Sequence, residues 1–405
     1  MGEEIDWNEP FHEENEEAGV SAGETLNRLL QEALRCGASH VHLDPGLRDL
    51  TIRFRVDGFL STEATLPKAM LGSLVGRIKV IAGLDLTERR MPQTGCFTGS
   101  EEPKPRFRVE VAPTRYGERV TLAIQPGGEG ELQALDALGL REPLRENVKG
   151  LANRERGLIL AAGPAGSGKT TLLYALLREA QTAARHLASI ECPVERPLEG
   201  VSQMEANPHA GSDMHRLLAS AKRQDVDVLL CSQLEDGEAV RQVVNLAAER
   251  CLVLAGIHVF EAVGTITRLL EMGVEPFLIG ETLLGVVGLR LVRRICEECR
   301  ISYQPTDGEL KSMGLDRSSL VNGHLWRGQG CKVCRETGYR GRVGLHEVLF
   351  MSRGLRDAMC RGVATSELSR LAGEGGFESL RQDGLWKVRE GVTTWEEVVR
   401  VASPL

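Results

Sequence analysis

Gly163-Pro164-Ala165-Gly166-Ser167-Gly168-Lys169-Thr170 fits G-x-x-x-x-G-K-[ST] at every fixed position, and that spacing does one kind of chemistry. Glycines let backbone N–H groups wrap around phosphate oxygens, and the N-terminus of a following helix adds partial positive charge. Lys169 is expected to reach the β and γ phosphates, Thr170 to ligate Mg²⁺ through its hydroxyl, and Thr171 to complete the nucleotide contacts. A nucleoside triphosphate, ATP by expectation, is therefore the ligand this segment predicts.

A second constellation is made of sulfur. Cys296-x-x-Cys299 and Cys331-x-x-Cys334 form two pairs, the second in surroundings rich in glycine, Gly328, Gly330 and Gly338. Two such knuckles can present four thiolates tetrahedrally, the donor set of structural Zn²⁺, with no position left open for catalysis. Four unliganded thiols are the alternative. Cys36, Cys96, Cys192, Cys231, Cys251 and Cys360 are scattered singly and read as small buried hydrophobes.

These groups need elements to hold them. Leu158–Ala162 before the phosphate loop and Leu172–Glu179 after it read as buried strand and helix, and Val228–Cys231 and Leu252–Ala255 as further buried strands. Alternation of such runs with helical segments predicts a parallel-sheet α/β domain over 132–405, with C-terminal helices over 354–402. Upstream, Leu26, Leu29, Leu30, Ala33 and Leu34 make a helical stripe that Gly37 stops, and Leu50, Ile52, Phe54 and Val56 alternate up to a hairpin signal at Asp57-Gly58. Phe107, Val109 and Val111 repeat that alternation before a turn near Tyr116-Gly117. Residues 23–125 thus read as a small α+β domain, 126–131 as a linker rich in glycine, and 1–22, crowded with Glu and Asp, as a disordered acidic tail.

The bulk numbers bound the function. At 405 residues the chain exceeds one ordinary core, and 42% hydrophobic with 26% charged residues suits a globular fold. Its 49 basic and 57 acidic side chains leave a net charge of −8, which disfavours a phosphate-backbone partner, so no nucleic acid is expected. Neither a secretory signal nor an apolar run of membrane-spanning length is present in it, and a cytoplasmic location is the expectation.

With these residues in place the chain resembles the bacterial type II secretion and type IV pilus assembly ATPases, the general secretion pathway protein E group. The matches include Arg55-Val56-Asp57-Gly58, Arg89-Arg90-Met91-Pro92-Gln93 and Tyr116-Gly117-Glu118-Arg119. Beyond the phosphate loop come Ile190-Glu191, Pro193-Val194-Glu195, Arg223-Gln224-Asp225, Asp227-Val228, His258, Arg290-Leu291-Val292 and Gly344-Leu345-His346-Glu347. The resemblance implies a RecA-like ATPase domain with a small regulatory domain and a zinc-binding insertion at 296–334. It also implies a hexameric ring, homomeric or mixed, working with secretion or pilus platform proteins at the cytoplasmic face of the inner membrane. By position it puts Glu191 and Glu195 in the Asp-box, Asp225 and Asp227 in the Walker B region and His258 in the His-box, and it makes Arg108 an arginine aimed at the γ-phosphate. Many relatives dock on the membrane through a separate N-terminal domain. Acidic residues take that end here, so membrane association is expected only through partners.

Departures from the pattern cluster at the chemistry. Ser232-Gln233 replaces the Gly-Glu that ends Walker B, so an amide stands where a carboxylate would position or deprotonate water. Family arginines are replaced by Ala123, Ala219 and Glu235, the Asp-box aspartate by Cys192, and the His-box reads Gly256-Ile257-His258-Val259-Phe260. One such arginine can be worth 10³ or more in rate. Two functions fit: a motor subunit that couples ATP hydrolysis to pseudopilus or pilus assembly, or a hydrolysis-deficient ring subunit beside an active paralogue. Glu191, Glu195, Gln233, His258 and Arg108 are the candidate catalytic residues, with His258 equally compatible with a purely structural role.

Overall fold

The computed structural model describes residues 21–100, 104–125, 133–207, 211–320 and 323–402. The chain divides into two compact units, 1–130 and 131–405. The expected linker and the acidic segment up to residue 20 lie outside the described residues.

In the first unit Ser21 opens helix α1 (Ala22–Arg35): its hydroxyl accepts from the Glu24 N–H while the Glu24 carboxylate accepts from the Ser21 N–H. The helix thus takes Ser21 and Ala22 from the stretch read as tail. Then follow β1 (Ala38–Pro45), β2 (Asp49–Val56), β3 (Phe59–Pro67), α2 (Met70–Ile81), β4 (Gln93–Thr98), β5 (Arg106–Thr114) and β6 (Gly117–Gln125). The strands form one antiparallel sheet ordered β3-β2-β1-β6-β5-β4. Asp57 and Gly58 both take positive φ, 50° and 88°, the two-residue turn whose twist suits the β2–β3 hairpin. Leu50, Ile52, Phe54, Phe107, Val109 and Val111 are buried with Leu26, Leu30 and Ala33 of α1. The other face of the sheet is polar.

The second unit runs α3 (Leu144–Ala152), β7 (Gly157–Ala162), α4 (Lys169–Ala180), β8 (Leu187–Glu191), β9 (Val201–Glu205), α5 (Met214–Ala221) and β10 (Val228–Leu234). It continues with α6 (Gly237–Glu249), β11 (Leu252–Ile257), α7 (Ala262–Glu271), α8 (Pro276–Thr282) and β12 (Leu283–Ile295). A small insertion carries β13 (Arg300–Tyr303), α9 (Asp307–Met313) and β14 (Leu325–Gly328) before the chain returns as β15 (Tyr339–Phe350). Helices α10 (Arg353–Cys360), α11 (Thr365–Glu374), α12 (Leu380–Arg389) and α13 (Trp395–Ala402) close it.

Seven strands make a sheet ordered β15-β12-β7-β11-β10-β8-β9. All its pairs are parallel except the antiparallel edge pair β12–β15. Helices cover both faces, so the central strands are buried throughout: Leu158, Leu160 and Ala162 pack on one side, Ile159 and Ala161 on the other. Every apolar run read as a strand is one.

Of the six single cysteines only Cys231 and Cys251 are buried, whereas Cys96, Cys192 and Cys360 are exposed. The expectation of buried hydrophobes fails for these three because Cys96 alternates onto the polar face of β4, Cys192 follows the end of β8, and Cys360 ends α10.

Candidate functional site

The phosphate loop leaves the C-terminal end of β7, between β11 and β12, where the ends of parallel strands open a crevice. Gly166 and Gly168 take φ of 72° and 97°, a region closed to most side chains, and this turns the chain into α4. Gly168 is the N-cap of α4 and no side chain caps that helix end, so its first N–H groups face the loop. The Ser167 hydroxyl is buried without a hydrogen-bond partner, and a Cβ on Gly163 would lie 2.4 Å from it. A cradle of open N–H groups, an orphaned hydroxyl and a lysine fits a polyphosphate.

Lys169 folds into this cradle and donates to the carbonyls of Gly163 and Pro164, both at 2.8 Å. Burial, and secondarily the charge of Arg290, lowers its pKa from the usual 10.5. An incoming phosphate would replace two neutral carbonyls by a charged acceptor, which binds an ammonium more strongly. Thr170 donates to Glu195 at 3.0 Å, while Pro164, Ala165 and Thr171 lie at the rim with partial or full exposure.

Glu191 and Glu195 separate in role. Glu191 is fully buried, and its carboxylate is engaged by the hydroxyls of Tyr174 and Ser189 and by the Gln203 amide. The three donors converge on one carboxylate, so Glu191 links α4, β8 and β9. Glu195 sits on the loop that follows and reaches Thr170.

Gln233 lies at a bulge. The β10–β11 register runs from Cys231↔Ala255 to Leu234↔Ile257, so Ser232 and Gln233 oppose the single residue Gly256. A Cβ there would stand 2.3 Å from the Ser232 carbonyl, so glycine is what permits this approach. The Gln233 amide points to Glu235 at 3.5 Å. One strand over, His258 follows Ile257, which pairs with Ala162 just before the loop; its ring makes an edge contact with Phe260 at 5.9 Å.

Two expected positions are not brought to this edge. Asp225 and Asp227 precede β10 and therefore lie at the opposite end of a parallel strand from Gln233, roughly 20 Å away at ~3.3 Å per residue. There Asp225 pairs with Arg250, and Asp227 accepts from the His186 N–H. Arg108 belongs to the other unit, exposed on the polar face of β5 in a cross-strand row with Cys96, Ala123, His40 and Arg55. Arg290 was not singled out from sequence as a site residue, yet its guanidinium bridges the carbonyls of Leu289 and Phe260, each at 2.7 Å.

In the insertion all four cysteine sulfurs lie within 4.8 Å of one another. The Cys296–Cys331, Cys299–Cys334 and Cys331–Cys334 distances are 4.0, 3.8 and 3.7 Å. Those are too long for disulfides and match the ~3.8 Å edge of a tetrahedron with Zn–S of about 2.3 Å. Burial raises the Cys334 pKa, but N–H groups of Cys331 and Gly338 outweigh it and bring it down to about 7. The donor set suits zinc.

The model of the family described as Type II/IV secretion system protein matches residues 14–400. The chain belongs to that family. Among its secretion relatives, Type II secretion system protein E of Dickeya dadantii is 41% identical over 93% of this chain and 74% of its own length. Type II secretion system ATPase E of Vibrio cholerae is 37% identical over 99% of this chain and 79% of its own length. Type IV pilus assembly ATPase PilB of Thermus thermophilus is 34% identical over 94% of the chain, which spans 43% of that longer protein. In fold this family member is similar to the Legionella pneumophila ATPase DotB, with a TM-score of 0.69 at 17% identity over 96% of this chain and 97% of that one. The pilus retraction motor PilT, solved with bound ADP, gives 0.63 at 21% identity over 93% and 96%. Among the described residues no helix is long and apolar enough to cross a membrane.

Proposed function

We propose that this chain is the ATP-binding motor subunit of a type II secretion or type IV pilus-like machine, coupling ATP hydrolysis to pseudopilus or pilus assembly. The observation that carries this is the phosphate cradle at the strand ends, with Lys169 inside it and Thr170 joined to Glu195 at 3.0 Å, in a member of a secretion-protein family. Thr170 would hold Mg²⁺, which when bound neutralises phosphate charge. Lys169 binds the phosphates, Glu195 orients the threonine and is the carboxylate available to take a proton from water, and Gln233 orients that water through its amide. His258, which follows β11 beside the loop, is a candidate hydrogen-bonding partner for the developing transition state. The four cysteines hold one structural zinc.

In this reading the subunits form a hexameric ring at the cytoplasmic face of the inner membrane, attached through platform proteins. A hydrolysis-deficient ring subunit beside an active paralogue is the second reading, and Gln233 turned toward Glu235 favours it. Nucleotide binding and steady-state turnover of the purified chain separate the two. Micromolar ATP binding is expected, lost in Lys169→Ala with the fold retained. Turnover is expected to rise about tenfold or more in Gln233→Glu. Equal ATP affinity in wild type and Lys169→Ala defeats both readings, and undetectable turnover with undiminished binding selects the second.

A further inference from the structure

Glu347 is a buried carboxylate on β15, 5% exposed, and the activity proposed above gives it no task. Its place in the sheet is unusual. Glu347 pairs with Gly288 of β12, Gly288 with Ala162 of β7, and Ala162 with Ile257 of β11. These four form one row across the sheet, and the next residues along β7 and β11 are Gly163 of the phosphate loop and His258. A Cβ on Gly288 would lie 2.6 Å from the Glu347 Cγ. Glycine in that strand therefore leaves room for the Glu347 side chain to lie over β12.

There the carboxylate bridges two helices. One oxygen accepts the Ala262 N–H at 2.5 Å and the other the Leu380 N–H at 3.4 Å. These are the first residues of α7 and α12, and α7 has no capping side chain of its own. The loop that leads into α7 carries His258 and Phe260, and Arg290 grips that loop through the Phe260 carbonyl. On the other side α12 is fixed to the adjacent residue of β15: Asp383 accepts the His346 N–H at 2.8 Å and pairs with the buried Lys387. Burial raises the pKa of Glu347, while the two N–H groups and the Arg290 charge act the other way.

We propose that Glu347 is a positioning residue that ties the His258 loop and the start of α12 to the row of the sheet ending at the phosphate loop, so that nucleotide state is transmitted to the C-terminal helices. This rests on the nucleotide-binding reading above. Glu347 touches no reacting group; it acts through α7 and α12. A glutamine of the same length offers one acceptor oxygen where two N–H groups each need one, and turns its NH₂ toward the other.

The test is hydrogen–deuterium exchange on the full chain, with and without Mg²⁺ and a non-hydrolysable ATP analogue, together with steady-state kinetics. Wild type is expected to gain protection at 163–175 and to change at 378–384. In Glu347→Gln the change at 163–175 and the zinc content persist, the response at 378–384 falls at least fivefold, and kcat drops about tenfold with KM within twofold. An unchanged response at 378–384 in Glu347→Gln, or none in wild type, overturns the coupling. Loss of zinc or of protection at 163–175 in the variant overturns it in favour of a scaffold role. Absence of protection at 163–175 in wild type removes the nucleotide reading itself, a failure visible before any variant is made.

Discussion

At the scale of single residues, two carboxylates four positions apart have opposite surroundings. Glu191 is enclosed by Tyr174, Ser189 and Gln203, whereas Glu195 accepts from Thr170, the threonine proposed to hold the metal. Glu195→Gln is therefore expected to reduce turnover by about 10²-fold, the order of a lost general base, while ATP affinity changes little. Glu191→Gln is expected to act on stability first: it leaves the Tyr174 and Ser189 hydroxyls and the Gln203 amide with a poorer acceptor, costing about 1–3 kcal/mol. Thermal melts beside initial rates distinguish the two, and a larger kinetic loss in Glu191→Gln than in Glu195→Gln would reverse the assignment. Both glutamates stood out from sequence, but their division of labour did not, because Ser189 and Gln203 become neighbours only when β8 and β9 pair.

At the scale of elements, the C-terminal helices are fastened by ion pairs as well as by apolar packing. Glu397 of α13 is 2% exposed and accepts from the Arg293 N–H at 2.9 Å and from the guanidinium groups of Arg293 and Arg400, each at 2.8 Å. Burial alone would raise its pKa, but bonds from Arg400 and then Arg293 outweigh burial and pull it from 4.5 to about 2. A carboxylate depressed by folding stabilises the native state above its unfolded pKa and loses that contribution as pH falls through the folded one. Glu397→Gln is thus expected to destabilise the protein at pH 7 by about 1.5–3 kcal/mol, the range for hydrogen bonds to charged groups. The difference from wild type should shrink as pH is lowered from 4.5 toward 2. Urea titrations across that window check it; a gap that stays constant down to the acid end would falsify the ion-pair account.

At the scale of the whole molecule, the insertion between β12 and β15 has little core of its own. Val292, Leu345, Leu380 and Val398 of the surrounding elements share one cluster with its Leu310, Met313, Leu320 and Leu325. A metal closing the knuckles would offset that shortage. About one zinc per chain is expected, and its removal by a strong chelator should lower Tm by about 6–12 °C, the shift for a loss of roughly 3 kcal/mol in a unit of this size, with ATP affinity nearly unchanged. Zinc-free protein from a zinc-replete preparation, or a Tm indifferent to chelation, would refute this. The sequence by itself determined the phosphate loop, the cysteine spacing, the buried strands and the hairpin at Asp57-Gly58, since each is written in a short window where residue type dictates backbone or donor chemistry. Only the tertiary structure decided which end of β10 meets the loop, removing Asp225 and Asp227 from the site while leaving Gln233 there. It alone set Glu347 beside two helix starts far from it in the chain. Strand register and crossover order bring such groups together, and no local pattern encodes them.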